Sequence, residues 1–182
     1  IMIPMVTCLA EIKGVKALMA ECCEELKAEG KRFDPDIKTG IMVETPAAAA
    51  TADILAEEVD FFSIGTNDLT GYMMAADRGA YLYETYQPAV LRMIRDVCKA
   101  AGKADIPVGM CGEAAADPAL TPCLIAFGLD EFSVNPEKVL ATRKNLSLWS
   151  SEDAIAVADK VMSLGTAEEV KQYLDSMKKE DE

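Results

Sequence analysis

Glu44, Asn67, Asp68, Arg78 and Cys111 carry the reactive groups of this sequence, and all but Arg78 follow directly on short apolar runs. Glu44 follows IMV, Asn67 and Asp68 follow SIGT, and Cys111 follows PVGM. Two carboxylates from different strand ends suit a hard divalent cation. Mg²⁺ prefers oxygen ligands, takes one or two protein carboxylates and leaves its other positions to water and substrate. Either carboxylate alone would equally suit the cap of the helix after its strand. Arg78, in the run ADRG, has a fork of donors that fits a phosphate or a carboxylate, and an arginine beside Mg²⁺ suits a phosphoryl group in transfer. Its plain alternative is a surface pair with Asp77. Cys111, followed by Gly112 and Glu113, is placed to exchange a proton with a substrate atom, or to pack as a small hydrophobe. Tyr72, Tyr81, Tyr83 and Tyr86 suit either the mouth of a pocket or a protein interface.

Composition removes several other chemistries. The 182 residues include no histidine, which excludes imidazole-built zinc sites, Ser-His and Cys-His nucleophile pairs and histidine acid/base catalysis. Six scattered cysteines without a C-x-x-C pair suit reduced thiols in a cytoplasmic protein rather than a disulfide frame. A formal net charge of -13 argues against nucleic-acid and anionic-membrane surfaces. Part of that charge sits in the tail KKEDE. No apolar run has the 18 or more residues needed to cross a bilayer, and no basic-then-apolar leader opens the chain.

The elements that position these residues alternate. IMIPMV (1–6), TGIMVE (39–44), DFFSIG (60–65), IPVGMC (106–111) and DEFSV (130–134) are near-continuous apolar runs, as expected of parallel strands buried on both faces. Between them the periodicity predicts helices over 10–28, 47–58, 88–101 and 118–127. The first carries Ile12, Val15, Met19, Cys22 and Leu26 on one stripe and Gly30 at its end; the last has Asp117 as N-cap and Gly128 after it. Asn135-Pro136 opens another helix, and Thr166 with Glu169 forms a capping box for one more. The fold class is α/β with a parallel sheet, and ligands in such folds bind at the carboxyl ends of the strands. About 22 residues separate Gly65 from Pro88, a connection long enough to read as a functional loop.

The blocks MVETPAAA (42–49), DFFSIGTNDLT (60–70), DRG (77–79) and GMCGE (109–113) resemble the signature blocks of the PEP-utilising enzyme family. Within it they most resemble the enzyme I branch, the phosphoenolpyruvate-protein phosphotransferases of the bacterial sugar phosphotransferase system. Pyruvate phosphate dikinase and PEP synthase share the metal and cysteine blocks. The resemblance implies a (β/α)₈ TIM-type barrel with Mg²⁺ held by Glu44 and Asp68. It implies Asn67 and Arg78 at the phosphoryl group, and Cys111 as the acid that protonates the pyruvate enolate at C3.

The departures carry expectations of their own. IMIPMV resembles the fourth barrel strand, so the chain is expected to hold strands four to eight only, as the C-terminal part of a longer enzyme. Residues 1–182 would form a single PEP-binding domain, with 150–182 as a C-terminal helical extension. The phosphoryl acceptor would be a histidine on a separate N-terminal domain, and a phosphocarrier protein the next partner. Lacking the upstream arginines, the isolated chain is expected to bind PEP poorly and to be inactive alone. Its open sheet edges suit pairing with a second copy, and the family's dimer points the same way. The competing readings are a dimerisation module without turnover and a metal-dependent lyase of the pyruvate/oxaloacetate barrels.

Overall fold

A computed structural model describes residues 1–179; the last three residues of the acidic tail lie outside the described residues. Five strands form one parallel sheet in sequential order: β1 (Met2–Ile3), β2 (Gly40–Val43), β3 (Phe61–Gly65), β4 (Val108–Cys111) and β5 (Glu131–Phe132). Sequential order with helical crossovers is the pattern of a barrel segment, and the sheet is open among the described residues.

The strands differ from expectation in extent and in burial: β1 and β5 are two residues each against the expected 1–6 and 130–134, and Met5, with φ of +55°, lies outside β1. Ile41 and Val43, Phe62 and Ile64, and Val108 and Met110 are buried against helices, while Met42, Ser63, Gly109 and Cys111 alternate with them and are half-buried. The sheet therefore has one packed face and one open face, because helices cover only one side. The register aligns Met42 with Ser63 and Ser63 with Gly109, and pairs Gly65 with Cys111, so the open face carries the polar groups.

The helices are α1 (Leu9–Ala28), α2 (Pro46–Ala50), α3 (Ala52–Ala56), α4 (Thr66–Met74), α5 (Pro88–Ala104), α6 (Thr121–Phe127), α7 (Val139–Ser147), α8 (Ser151–Ser163) and α9 (Ala167–Ser176). The helix expected over 47–58 is broken at Thr51, whose hydroxyl donates back to the Ala47 carbonyl and opens the turn. Asp117 makes its capping bond, accepting from the Ala119 amide at 2.9 Å, yet α6 opens only at Thr121. Gly128 closes α6 and Gly30 follows α1, both with left-handed φ, as expected. On α1 only Ile12 is buried; Val15, Met19 and Leu26 are half-buried and Cys22 is exposed. The long connection after β3 is also shorter than it reads, because α4 occupies its first nine residues.

Core packing sets α3 on α5 and α8 on α6. Val157, Ala158, Val161, Val170 and Leu174 join the same apolar core as the strands, so α8 and α9 are packed onto the sheet's helical layer. Among the described residues no helix is long and apolar enough to cross a membrane.

Candidate active site

The expected site residues gather at the carboxyl edge of the sheet. Glu44, directly after β2, is only 4 % exposed. It does not cap α2. Thr45 does, accepting from the Ala48 amide at 3.1 Å while donating to the Val6 carbonyl at 2.6 Å. The Glu44 carboxylate turns instead toward β3, where a Cβ added at Gly65 would stand 2.8 Å from Oε2. Glycine at 65 thus makes room for the carboxylate. Oε1 accepts from the Met5 amide at 2.8 Å, and Glu44 makes no ion pair among the described residues.

Asn67 and Asp68 stand in the first turn of α4 rather than in a loop. The start of α4 is stitched to the end of β4: the Thr66 hydroxyl donates to the Cys111 carbonyl at 3.1 Å, and the Glu113 amide donates to Asn67 Oδ1 at 3.3 Å. Gly112 makes this possible. Its φ is +96°, and a Cβ there would lie 2.5 Å from Thr66 Oγ1 and 3.0 Å from Asn67 Oδ1.

Arg78 pairs with Asp68 at 3.4 Å, not with Asp77. Both side chains are well exposed, 64 % and 46 %, so the pair is screened and the guanidinium is free to turn to an incoming anion. Cys111 is half-buried, with the Ser63 hydroxyl donating toward its sulfur across 4.0 Å. Cys98 and Cys123 are buried in the core instead, where loss of solvent pushes each thiol up to about 12.

Two clefts meet at Asn67. One, of about 490 Å³, is lined by Asp68, Tyr72, Arg78 and Tyr83 as well as Asn67. The other, of about 430 Å³, joins Asn67 to Cys111, Glu113, Ser133 and Lys138. The tyrosines divide accordingly. Tyr83 donates to the Asn67 carbonyl at 2.9 Å, and burial raises its pKa; Tyr86 points away to Asp117, and Tyr81 is 91 % exposed.

Sequence reasoning missed Ser63, and it placed Tyr83 only among four tyrosines suited to a pocket mouth or an interface. Ser63 had a usable signal, since the two-residue period of β3 puts it on the same face as Gly65, which pairs with Cys111. What singles Tyr83 out from the other three, its bond to Asn67, had no signal, because it depends on how the connection folds back.

By their chemistry the oxygen donors of Glu44 and Asp68 suit Mg²⁺, although Glu44 lines neither cleft. A buried carboxylate without a cationic partner is costly, and Glu44 is such a group. Among the described residues no three carboxylate or thiol groups are arranged to hold a metal by themselves. Mg²⁺, unlike a structural zinc, does not require them.

Comparison with known proteins adds an independent line. The model of the PEP-utilising enzyme family, PEP-binding domain, matches residues 1–150. The phosphoenolpyruvate-protein phosphotransferase of Geobacillus stearothermophilus is 49 % identical over 178 residues, 96 % of this chain and 31 % of its own length. That of Bacillus subtilis (strain 168) is 47 % identical over 174 residues, 93 % of this chain and 30 % of its own. That of Staphylococcus aureus is 45 % identical over the same coverage, 93 % and 30 %. The chain thus spans about a third of the length of these curated relatives. With that match covering residues 1–150, which hold all five strands, the chain belongs to the PEP-utilising enzyme family.

Proposed function

We propose that this chain supplies the PEP and Mg²⁺ half-site of a phosphoenolpyruvate-protein phosphotransferase. The observation that carries this reading is Asn67, which stands where the Asp68/Arg78 cleft meets the Cys111 cleft. A substrate with a phosphoryl end and a carbon that must take up a proton needs those two clefts side by side. Glu44 and Asp68 would hold Mg²⁺, which when bound adds positive charge against the phosphoryl oxygens. Asn67 and Arg78 bind and orient the phosphoryl group. As the P–O bond breaks, the phosphoryl group passes to a histidine nitrogen, and the electron pair stays on the enolate of pyruvate. Cys111 then gives its thiol proton to C3, forming pyruvate, and regains a proton from solvent.

The acceptor histidine belongs to another domain, because this chain has none. A phosphocarrier protein downstream and a cytoplasmic setting go with that reading, as does a barrel of which β1 to β5 are strands four to eight. In this reading residues 1–182 are one domain, with α8 and α9 as its helical extension. The second reading is a dimerisation module without turnover.

Calorimetric titration of Mg²⁺ and PEP into the chain tests the first reading. Metal-dependent PEP binding that is lost in Asp68→Ala and weakened about tenfold or more in Arg78→Ala is the expected result. A folded wild-type chain that takes up neither Mg²⁺ nor PEP means that the site needs strands outside this chain, and leaves the second reading for the chain alone.

A further inference from the structure

Arg78 lies in the segment between α4 and α5, residues 75–87, whose first half holds few side-chain contacts. Its second half is tied down at three successive points. The Tyr83 hydroxyl donates to the Asn67 carbonyl at 2.9 Å. The Glu84 carboxylate accepts from Lys171 Nζ at 2.8 Å, with the two side chains 31 % and 39 % exposed. The Tyr86 hydroxyl donates to Asp117 Oδ2, and the same Lys171 ammonium sits 5.3 Å from the Tyr86 ring centroid.

Lys171 therefore makes two of these contacts at once, one ionic and one with the face of a ring. Its own position is rigid. On α9 its neighbour Val170 is fully buried and Leu174 is 2 % exposed, so the helix carrying Lys171 is part of the core. The ammonium thus links a fixed helix to the segment that bears Arg78, although it lines neither cleft.

We propose that Lys171 is a positioning residue: by holding Glu84 and Tyr86 against α9, it fixes the 75–87 segment so that Arg78 stays beside Asp68 at the phosphoryl cleft. The assignment rests on the half-site reading above for its ligand, but not for the clamp itself. The Lys171 charge persists through neutral pH, since the Glu84 hydrogen bond raises its pKa.

Backbone amide exchange, followed by mass spectrometry on the whole chain, reads the clamp without any ligand. The Ala80, Tyr83 and Gln87 amides bond within the segment, to Asp77, Ala80 and Glu84, and are its reporters. Lys171→Met is expected to speed their exchange roughly threefold to tenfold, the reach of one half-exposed ion pair plus one ring contact. Amides of β2 to β4 are expected to stay unchanged. Glu84→Gln should act alike, the double variant no worse than the worse single one, and the swap Lys171→Glu with Glu84→Lys should restore protection. Unchanged exchange at the reporters in Lys171→Met overturns the clamp. A change spread equally over the core also overturns it, because the role would then be general stability.

PEP titration with Mg²⁺ on the same variants reads the consequence. A severalfold weaker PEP affinity in Lys171→Met that disappears in the Arg78→Ala background is expected. Loosened reporters with unchanged PEP affinity overturn the assignment to Arg78. A wild-type chain that binds no PEP overturns the half-site reading for the chain alone, while the exchange result still decides the clamp.

Discussion

At the residue scale, the cysteines separate by environment. Cys111 faces a cleft, Cys8 and Cys22 are exposed, and Cys98 and Cys123 are buried with thiols pushed up to about 12. Only a thiolate reacts with an alkylating reagent, so labelling at pH 8 should modify Cys8 and Cys22 first and Cys111 after them. Cys98 and Cys123 should stay unmodified until the chain unfolds. If the Cys111 cleft takes PEP, adding PEP and Mg²⁺ should slow labelling at Cys111 alone; peptide mapping by mass spectrometry checks both outcomes. Much of the placement of these residues was legible in the sequence, because polar groups after apolar runs must lie at the strands' carboxyl edge. What was not legible is the choice between alternatives. Thr45 rather than Glu44 caps α2, and Arg78 turns to Asp68 rather than Asp77. Both outcomes depend on neighbours brought in by register and by α4.

At the element scale, the same contrast holds between strands and α4. The strands announced themselves through Ile, Val, Phe and Met, and the alternation with helices made the sheet parallel; their sequential order was implied only by the resemblance to a barrel family. TNDLTGYMM did not read as a helix because the face it buries is Thr66, Leu69 and Thr70, a mixed stripe with little apolar signal and a glycine after it. The stripe on α1 erred the other way. Val15, Met19 and Leu26 follow helical spacing, yet nothing among the described residues covers them fully. Thr45 shows how tightly the elements near the site are joined. Its hydroxyl caps α2 and also holds the Val6 carbonyl after β1, both at a position 5 % exposed. Thr45→Ala loses the cap and leaves the Val6 carbonyl without that donor. A loss of about 2 kcal/mol in unfolding free energy is expected, measurable by urea titration. Thr45→Ser keeps the hydroxyl and should recover most of it.

For the whole molecule, the absence of histidine and the placement of the carboxylates set how stability responds to pH. Asp60 is held below its ordinary pKa by the Thr39 amide and then by Lys38. Glu11 is lowered chiefly by the Thr7 amide, Asp153 by Lys179 and Glu169 by the Gly165 amide. For each, the unfolded chain binds its proton at higher pH than the folded one. Their stabilisation is present above the unfolded pKa of about 4 and is lost as pH falls through the lower folded value. On the alkaline side the sign reverses. Cys98 and Cys123 have raised folded values of about 12, so their contribution is complete below the unfolded pKa near ~8.5 and is lost as pH rises toward 12. Between these limits no side chain of the 182 residues titrates with an ordinary pKa, because histidine is missing. The melting temperature should therefore be nearly flat from about pH 5.5 to about 8, fall below about pH 4, and fall again above about 9. Asp60→Asn should be less stable than wild type on the plateau, with the difference closing in acid. A slope across the plateau would mean that a carboxylate or thiol sits in surroundings other than those described, and a difference for Asp60→Asn that persists in acid would remove the charge as its cause.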